Sequence, residues 1–218
     1  MASLRLKRAF FEDDLFACAS GLIGCELVWG GCGGIVVETE AYALKNDEAC
    51  HTFSRRSARS FVAEQRPGTA YIYLSYGVHW LLNVLVKGRG ETGLILFRAL
   101  QPTRGIGIMR RRRGLTAERN LCSGPGRLSE ALAVRGTEHG IDLCKTADRF
   151  LKPRRATVSV VTDVRVGISK AKHLPWRFLM KESPYVSVQP AAASRGIKGR
   201  ASPLKTIKAG PNFVRPGL

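Results

Sequence analysis

Short apolar stretches that alternate like β-strands, divided by glycine-containing turns, constrain the fold of this chain more than any other feature. TAYIYLS (69–75) and VHWLLNVLV (78–86) flank Tyr76 and Gly77, and TGLILFRAL (92–100) follows a second glycine-rich turn. Turns this short between consecutive strands require antiparallel pairing. The sequence therefore predicts a mainly antiparallel, curved sheet with a protruding β-hairpin.

Helical patterns surround these strands. FEDDLFACASG (11–21) has Asp13 or Asp14 as a candidate N-cap, and helical spacing resumes after Pro102. SGPGRLSEALAV (123–134) predicts a further helix with a Gly/Pro-rich start that could present backbone N–H groups to an anion. Strands and helices in this mixture predict an α+β fold with helices around the sheet.

The pattern of apolar residues divides the chain into two parts. Residues 1–190 are predicted to form a single α+β domain, with further strands in ATVSVVTDVRVGI (156–168) and YVSVQP (185–190). Residues 45–65 are polar and are predicted to be an irregular surface segment. Residues 191–218 are rich in Gly, Pro, Lys and Arg, which predicts a basic, flexible tail.

The charge narrows the class of partner. A formal net charge of +18 over 218 residues, with basic clusters at 55–59 and 110–113, indicates nucleic acid or an acidic membrane surface. No run of eighteen apolar residues occurs, and the first residues lack the pattern of a secretion signal, so we expect an intracellular monomer without a membrane span. Six cysteines without a CxxC pair are interpreted as reduced thiols, and no metal or other cofactor is predicted.

Three polar residues interrupt the apolar strands, namely Glu40 in IVVETEAY (35–42), Asn83 and Arg98. A buried carboxylate or amide without partners is costly, so three of them in one sheet indicate a shared pocket. A structural alternative is that Glu40 and Arg98 form a buried ion pair while Asn83 caps a bulge. Strict alternation puts four side chains on one face of the first stretch: Val36, Glu38, Glu40 and Tyr42.

Aromatic residues cluster around the same strands, and the cluster consists of Tyr42, Tyr71, Tyr73, Tyr76, His79 and Trp80. Rings beside basic residues suit stacking on nucleobases, although ordinary packing in a strand is the alternative for any single tyrosine. Tyr76 stands apart, because it occupies a tight turn where Asn or Asp is favoured. A large ring at such a tip is suited to wedge between stacked bases.

Seven motifs follow one another from about residue 10 to residue 190, namely VETEAY (37–42), DEACH (47–51), PGTAYIYLSYG (67–77), LLNV (81–84), LFRALQP (96–102), NLCSGPGRLSEAL (120–132) and SPYVSV (183–188). In these motifs, their order and their spacing, the chain resembles the 3-methyladenine (alkyladenine) DNA glycosylase family.

The resemblance implies a role for each polar residue in the strands. Glu40 would be the general base that activates water, and Arg98 would help to hold that water and keep Glu40 ionised. Asn83 would stand at the pocket wall and disfavour the 2-amino group of guanine. Tyr76 would fill the gap left in the duplex, assisted by Val78 where some relatives have methionine. Three rings would sandwich and contact the flipped base: Tyr42, His51 and Tyr73.

The implied activity is that of a monofunctional DNA glycosylase acting on double-stranded DNA. It would flip alkylated or deaminated purines (3-methyladenine, hypoxanthine, ethenoadenine, 7-methylguanine) out of the duplex and leave an abasic site. No lysine is predicted near the sugar, so we expect hydrolysis without strand cleavage. Two other classes stay open, a non-catalytic basic nucleic-acid-binding protein and a formyltransferase-like or translation-associated domain of related fold.

Overall fold

Eight antiparallel strands form one curved sheet in the structure, a computed structural model that describes residues 5–190. The predicted tail at 191–218 lies outside the described residues. The strands are β1 (Glu26–Trp29), β2 (Cys32–Ala43), β3 (Ala70–Ser75), β4 (His79–Val86), β5 (Gly93–Arg104), β6 (Arg149–Lys152), β7 (Val160–Asp163) and β8 (Arg177–Met180). The α-helices are α1 (Arg8–Phe11), α2 (Leu15–Gly21), α3 (His51–Ser54), α4 (Arg56–Glu64), α5 (Ile106–Arg113) and α6 (Pro125–Leu132).

Strand β2 is the centre of this sheet. The strand order is β3-β4-β5-β2-β1-β6, with β8 paired to β2 and β7 to β8. One edge of β2 pairs with β5 along most of its length, while the other edge pairs with β1 at its start and with β8 at Glu38 to Glu40. The α+β class and the antiparallel sheet are therefore as the sequence predicted.

The main core lies between the sheet and several helices, among them α2, α5 and α6. Asp14 is the N-cap of α2, and its carboxylate accepts hydrogen bonds from the backbone N–H groups of Phe16 and Ala17 at 2.9 and 3.1 Å. The hydroxyl of Thr39 donates to the carbonyl of Ala19 at 3.0 Å, which ties α2 to the middle of β2. The apolar face of the helix therefore covers the strand that carries the glutamates.

Three parts of the predicted secondary structure are wrong. Residues 45–65 are not irregular throughout, because they contain α3 and α4, and α4 buries Ala58, Phe61 and Val62 on one face. Residues 185–190 form no strand, since the backbone N–H of Ser187 donates to a side-chain carboxylate instead of to a strand. Strands β6 and β8 were not predicted, because four residues are too few for alternation to be recognised.

The β3–β4 hairpin protrudes as predicted, with a three-residue loop in place of the predicted two-residue turn. The backbone N–H of Val78 donates to the carbonyl of Ser75 at 3.0 Å and closes the turn. Tyr76 and Gly77 have φ values of 50° and 71°, the left-handed conformation that glycine and asparagine adopt most readily. A tyrosine with this φ is unusual, and its side chain is 95% exposed.

The structure of residues 5–190 also bears on membrane spans, metal sites and disulfides. Between residues 5 and 190, no helix has the length and apolarity needed to cross a membrane. Within the same range, histidine, cysteine, aspartate and glutamate side chains form no group of three or more that could hold a metal ion. All six cysteines are free, and five of them are buried.

Candidate active site

A cavity of about 670 Å³ opens beside strands β3, β4 and β5. Ligand-binding pockets usually have volumes of roughly 300–1,000 Å³. The cavity brings together six of the residues predicted for the site: Tyr42, His51, Tyr73, Tyr76, Asn83 and Arg98. Glu40 lies behind this surface with no exposed area, and Val78 is exposed on the hairpin loop rather than in the cavity wall.

Paired irregularities in β2 and β5 bring the charged side chains together. Val37 and Arg98 have no partner in the pairing of these two strands. Such bulges bend a strand and redirect its side chains, and they are common beside active sites. The predicted alternation is consequently wrong at Val36, which packs in the main core with Ala41.

Three donors hold the carboxylate of Glu40. Its Oε2 atom accepts hydrogen bonds from the hydroxyl of Tyr42 at 2.8 Å and from Nη1 of Arg98 at 3.1 Å. Its Oε1 atom accepts from the backbone N–H of Val166 at 2.7 Å. Burial and the neighbouring Glu40 raise the pKa of Tyr42 well above its ordinary value, so this hydroxyl remains a donor. The carboxylate is therefore fixed in orientation and satisfied although it is buried.

Arg98 connects Glu40 to a second buried carboxylate, Glu38. Its Nε donates to Oε1 of Glu38 at 3.0 Å while its Nη1 binds Glu40. Burial lowers the pKa of Arg98, but the carboxylates of Glu40 and Glu38 outweigh that effect and raise it overall. The structural alternative is thus partly right, since the Glu40–Arg98 ion pair exists. Arg98 nevertheless also lines the cavity, and Asn83 lies in regular pairing rather than at a bulge.

A hydrogen bond to the neighbouring strand β3 holds the side chain of Asn83 in the cavity wall. Its Nδ2 donates to the carbonyl of Tyr71 at 3.1 Å, and only 3% of the residue is exposed. An amide bound through its nitrogen to a strand has little freedom to rotate. The side chain is therefore a fixed polar feature of the wall.

His51 and two tyrosines form an aromatic wall. The ring centroids of His51 and Tyr73 are 4.1 Å apart with their planes at 65°, and Nδ1 of His51 is 3.2 Å from the hydroxyl of Tyr71. Burial and the adjacent Arg55 lower the pKa of His51 from 6.5 to about 4. Burial, and then the neighbouring Tyr71, raises the pKa of Tyr73 to about 12. Burial raises the pKa of Tyr71 as well, and these three rings are accordingly neutral at pH 7.

A buried ion pair beside Tyr42 was missed by the sequence analysis. Arg165 donates to both oxygens of Asp47 at 2.6 and 2.8 Å, and both side chains are fully buried. The guanidinium also lies 4.7 Å from the centre of the Tyr42 ring. It thereby holds two loops against that ring. Asp47 belongs to the motif DEACH, but no local pattern marks Arg165 as its partner.

Two cationic features differ from the sequence-based expectations. Lys170 lines the cavity, where no lysine was predicted, and its Nζ is 3.6 Å from Oε2 of Glu48. The arginine run at 110–113 is in part structural, because Arg112 donates to the carbonyl of Ala131 at 2.9 Å. The run therefore offers fewer free charges to a polyanion than its sequence indicates.

Comparison with known proteins identifies the family of this chain. The family model of methylpurine-DNA glycosylase matches residues 9–184. A protein of Rhodopseudomonas palustris strain BisB18, provisionally named 3-methyladenine DNA glycosylase, is 46% identical over 84% of this chain and 90% of its own length. Proteins of the same provisional name from Nitrosospira multiformis and Chlorobium luteolum are 47% and 40% identical, over 81% and 84% of this chain and 91% and 96% of their own lengths. The chain therefore belongs to the methylpurine-DNA glycosylase family of hydrolytic DNA repair enzymes.

Proposed function

We propose that this chain excises alkylated purines, 3-methyladenine foremost, from double-stranded DNA by hydrolysing the N-glycosidic bond. Hypoxanthine, ethenoadenine and 7-methylguanine are the further substrates of the proposal. The observation that carries it is a buried carboxylate held by three donors directly behind a cavity with aromatic walls. The substrate named for the relatives supports the first choice of base.

Glu40 is the general base of the proposed reaction. It takes a proton from the water that attacks C1′ of the sugar, and its negative charge stabilises the oxocarbenium-like sugar. Two donors already occupy Oε2 and one occupies Oε1, so Oε1 has more capacity left to accept the proton of the water. Arg98 holds the water together with Glu40. As the C1′–O bond forms, the C1′–N bond breaks and its electron pair leaves with the purine, so that cationic 3-methyladenine departs as a neutral molecule.

The cavity receives the extruded base. Tyr42, His51 and Tyr73 provide faces for stacking and contact, which suits any purine because every base has a π-face. His51 is neutral at pH 7 and so adds no positive charge of its own to the site. Asn83 disfavours guanine-type bases, because a fixed amide at the wall meets their 2-amino group.

Tyr76 and Val78 act on the duplex rather than on the base. Both are exposed at the hairpin loop, 95% and 69% respectively, and Tyr76 also borders the cavity. Insertion of such side chains replaces part of the stacking lost when a base is flipped. We propose that the protein acts as a monomer, in whichever compartment of the cell holds its DNA.

A panel of lesions tests this proposal. Matched duplexes carrying one 3-methyladenine, hypoxanthine, ethenoadenine or 7-methylguanine are incubated with excess protein, and the released base is quantified. We expect release of 3-methyladenine and an abasic site that stays uncleaved until alkali is added, because Lys170, which lines the cavity, is paired with Glu48 as a charged ammonium rather than offered as a free amine. Tight binding without release of any base would contradict the proposal and support the non-catalytic nucleic-acid-binding alternative.

A further inference from the structure

Glu38, the second buried carboxylate of β2, has no role of its own in the proposed reaction. It has no exposed surface and does not line the cavity. Four hydrogen bonds nevertheless converge on it. Its Oε1 accepts from Arg98 Nε at 3.0 Å and from Arg177 Nη1 at 3.1 Å, and Ser187 donates its hydroxyl to Oε1 at 2.9 Å and its backbone N–H to Oε2 at 2.6 Å.

The guanidinium of Arg98 is shared between the two glutamates. Nε binds Glu38 and Nη1 binds Glu40, and two longer contacts also reach the planar group, from Nη1 to the carbonyl of Val166 at 3.4 Å and from Nη2 to the hydroxyl of Ser187 at 3.5 Å. Two bonds to one guanidinium determine its rotation as well as its position. With the bond to Glu38 removed, Arg98 would keep one carboxylate partner and could turn about its long side chain. Glu38 thus determines the direction in which Arg98 faces the cavity.

Glu38 is itself held by a segment that is distant in sequence. Ser187 lies in the loop that follows β8 and supplies two of the four donors. Arg177, which supplies another, is fixed by Asp163 at 2.5 Å and by the carbonyl of Val188 at 2.9 Å. The hydroxyl of Ser187 is the one donor that can be removed without removing a charge or a backbone group.

We propose that Glu38 is a positioning residue for Arg98 and that the hydroxyl of Ser187 holds Glu38 in the orientation this requires. The inference rests on the proposed roles of Arg98 and Glu40. It gives the motif SPYVSV (183–188) a function in catalysis through Arg98, although none of its residues lines the cavity.

The test compares variants of two serines in this motif. Ser187→Ala removes the hydroxyl and keeps the backbone N–H, whereas Ser187→Thr keeps a hydroxyl. Ser183→Ala is the matched control, because Ser183 belongs to the same motif and is buried, but its hydroxyl accepts from the backbone N–H of Tyr185 at 3.3 Å and does not contact Glu38. Hydrogen bonds to charged groups are strong enough for us to expect a loss of about tenfold in the single-turnover excision rate of Ser187→Ala.

The protein concentration that gives half-maximal rate should not change in Ser187→Ala, and Ser187→Thr and Ser183→Ala should stay within about twofold of wild type. Wild-type rate in Ser187→Ala, weaker binding in place of slower excision, or equal losses in all three variants would overturn the inference. Ser187→Ala also removes the 3.5 Å contact between the Ser187 hydroxyl and Arg98, whereas Glu38→Asp leaves that hydroxyl in place and only shortens the carboxylate side chain. Glu38→Asp should therefore also slow excision without weakening binding, and a wild-type rate in this variant would overturn the role of Glu38. Failure of the proposed function itself would differ, since wild type would then release no base.

Discussion

The buried charge cluster and the hairpin tip are built in opposite ways. In the cluster, Glu38, Glu40 and Arg98 are buried, and donors from distant segments hold both carboxylates. At the tip, Tyr76 and Val78 project into solvent from a loop that one local hydrogen bond closes. The difference teaches that fixed charges for chemistry need the whole fold, whereas an apolar group that inserts into DNA needs only a local turn.

The two regions also differ in what a substitution would disturb. Removal of one partner from a buried ion pair leaves an uncompensated charge and typically destabilises a protein by about 3–5 kcal/mol. A change at an exposed loop tip usually alters stability by less than about 0.5 kcal/mol. Variants of the cluster must therefore conserve shape, while variants of the tip need only suit the left-handed backbone of Tyr76 and Gly77.

Glu40→Gln should have the largest effect. It preserves the shape of the side chain but removes the proton acceptor, and general bases contribute roughly 10²- to 10⁴-fold to rates. We expect single-turnover excision to fall by at least about a hundredfold while affinity for the lesion duplex changes little. Thermal unfolding of the variant serves as the control for folding. Excision at the wild-type rate would move the base to another carboxylate.

Tyr76→Asn should have the next largest effect. Asparagine adopts a φ near the observed 50° more readily than tyrosine, so the hairpin should be at least as stable. Loss of the ring should nevertheless slow excision from a matched duplex by about tenfold or more, because the unstacked gap is no longer filled. Tyr76→Phe, which keeps the ring, is the control and should behave as wild type. Slow excision in that variant would refute the wedge.

The cavity wall lies between the two regions, and Asn83→Ser tests its selectivity. Serine is too short to reach the position of the amide that Tyr71 now holds. Excision of guanine-type bases relative to hypoxanthine should rise several-fold, since a polar obstacle to the 2-amino group is removed. The ratio is measured with both lesions in the same sequence context. An unchanged ratio in a folded variant would assign the discrimination to another residue.

Titration of His51 should have the smallest effect on excision, because the imidazole is already neutral at pH 7 and its protonation changes stability only at acid pH. Burial and Arg55 lower its pKa to about 4, below the ordinary 6.5 that applies to the unfolded chain. The unfolded state therefore binds the proton first as pH falls. The resulting stabilisation is complete above pH 6.5 and is lost between about 6.5 and 4. NMR titration of the imidazole checks this directly, and a midpoint near 6.5 would contradict it.

The sequence predicted the position of the hairpin tip, although not the length of its loop, because the features that define the tip are local. Tyr76 and Gly77 follow one strand and precede the next, and the turn needs no other part of the chain. The sequence also singled out Glu40 and Arg98, since each interrupts an apolar strand. The sequence did not predict the donors that hold the two carboxylates of the cluster. Val166 and Ser187 lie 126 and 149 positions from the carboxylates they bind.

The fold was predictable where elements are long and the pattern is regular. The paired irregularities of β2 and β5 depend on the packing of both strands, so strict alternation misassigned Val36. The four-residue strands β6 and β8 exist because their neighbours in the sheet offer free edges, which a local pattern cannot report. The ion pair of Arg165 and Asp47 similarly forms only when distant segments fold together, so no local pattern predicts it.

Excision of one lesion from matched duplex and from single-stranded DNA, by wild type, Glu40→Gln and Tyr76→Asn, tests most directly whether chemistry and base flipping are separate. Glu40→Gln should lose at least about a hundredfold in both contexts, because the chemistry is the same. Tyr76→Asn should lose about tenfold or more in the duplex and almost nothing in the single strand, where little stacking must be broken. Equal losses for Tyr76→Asn in the two contexts would contradict the separation.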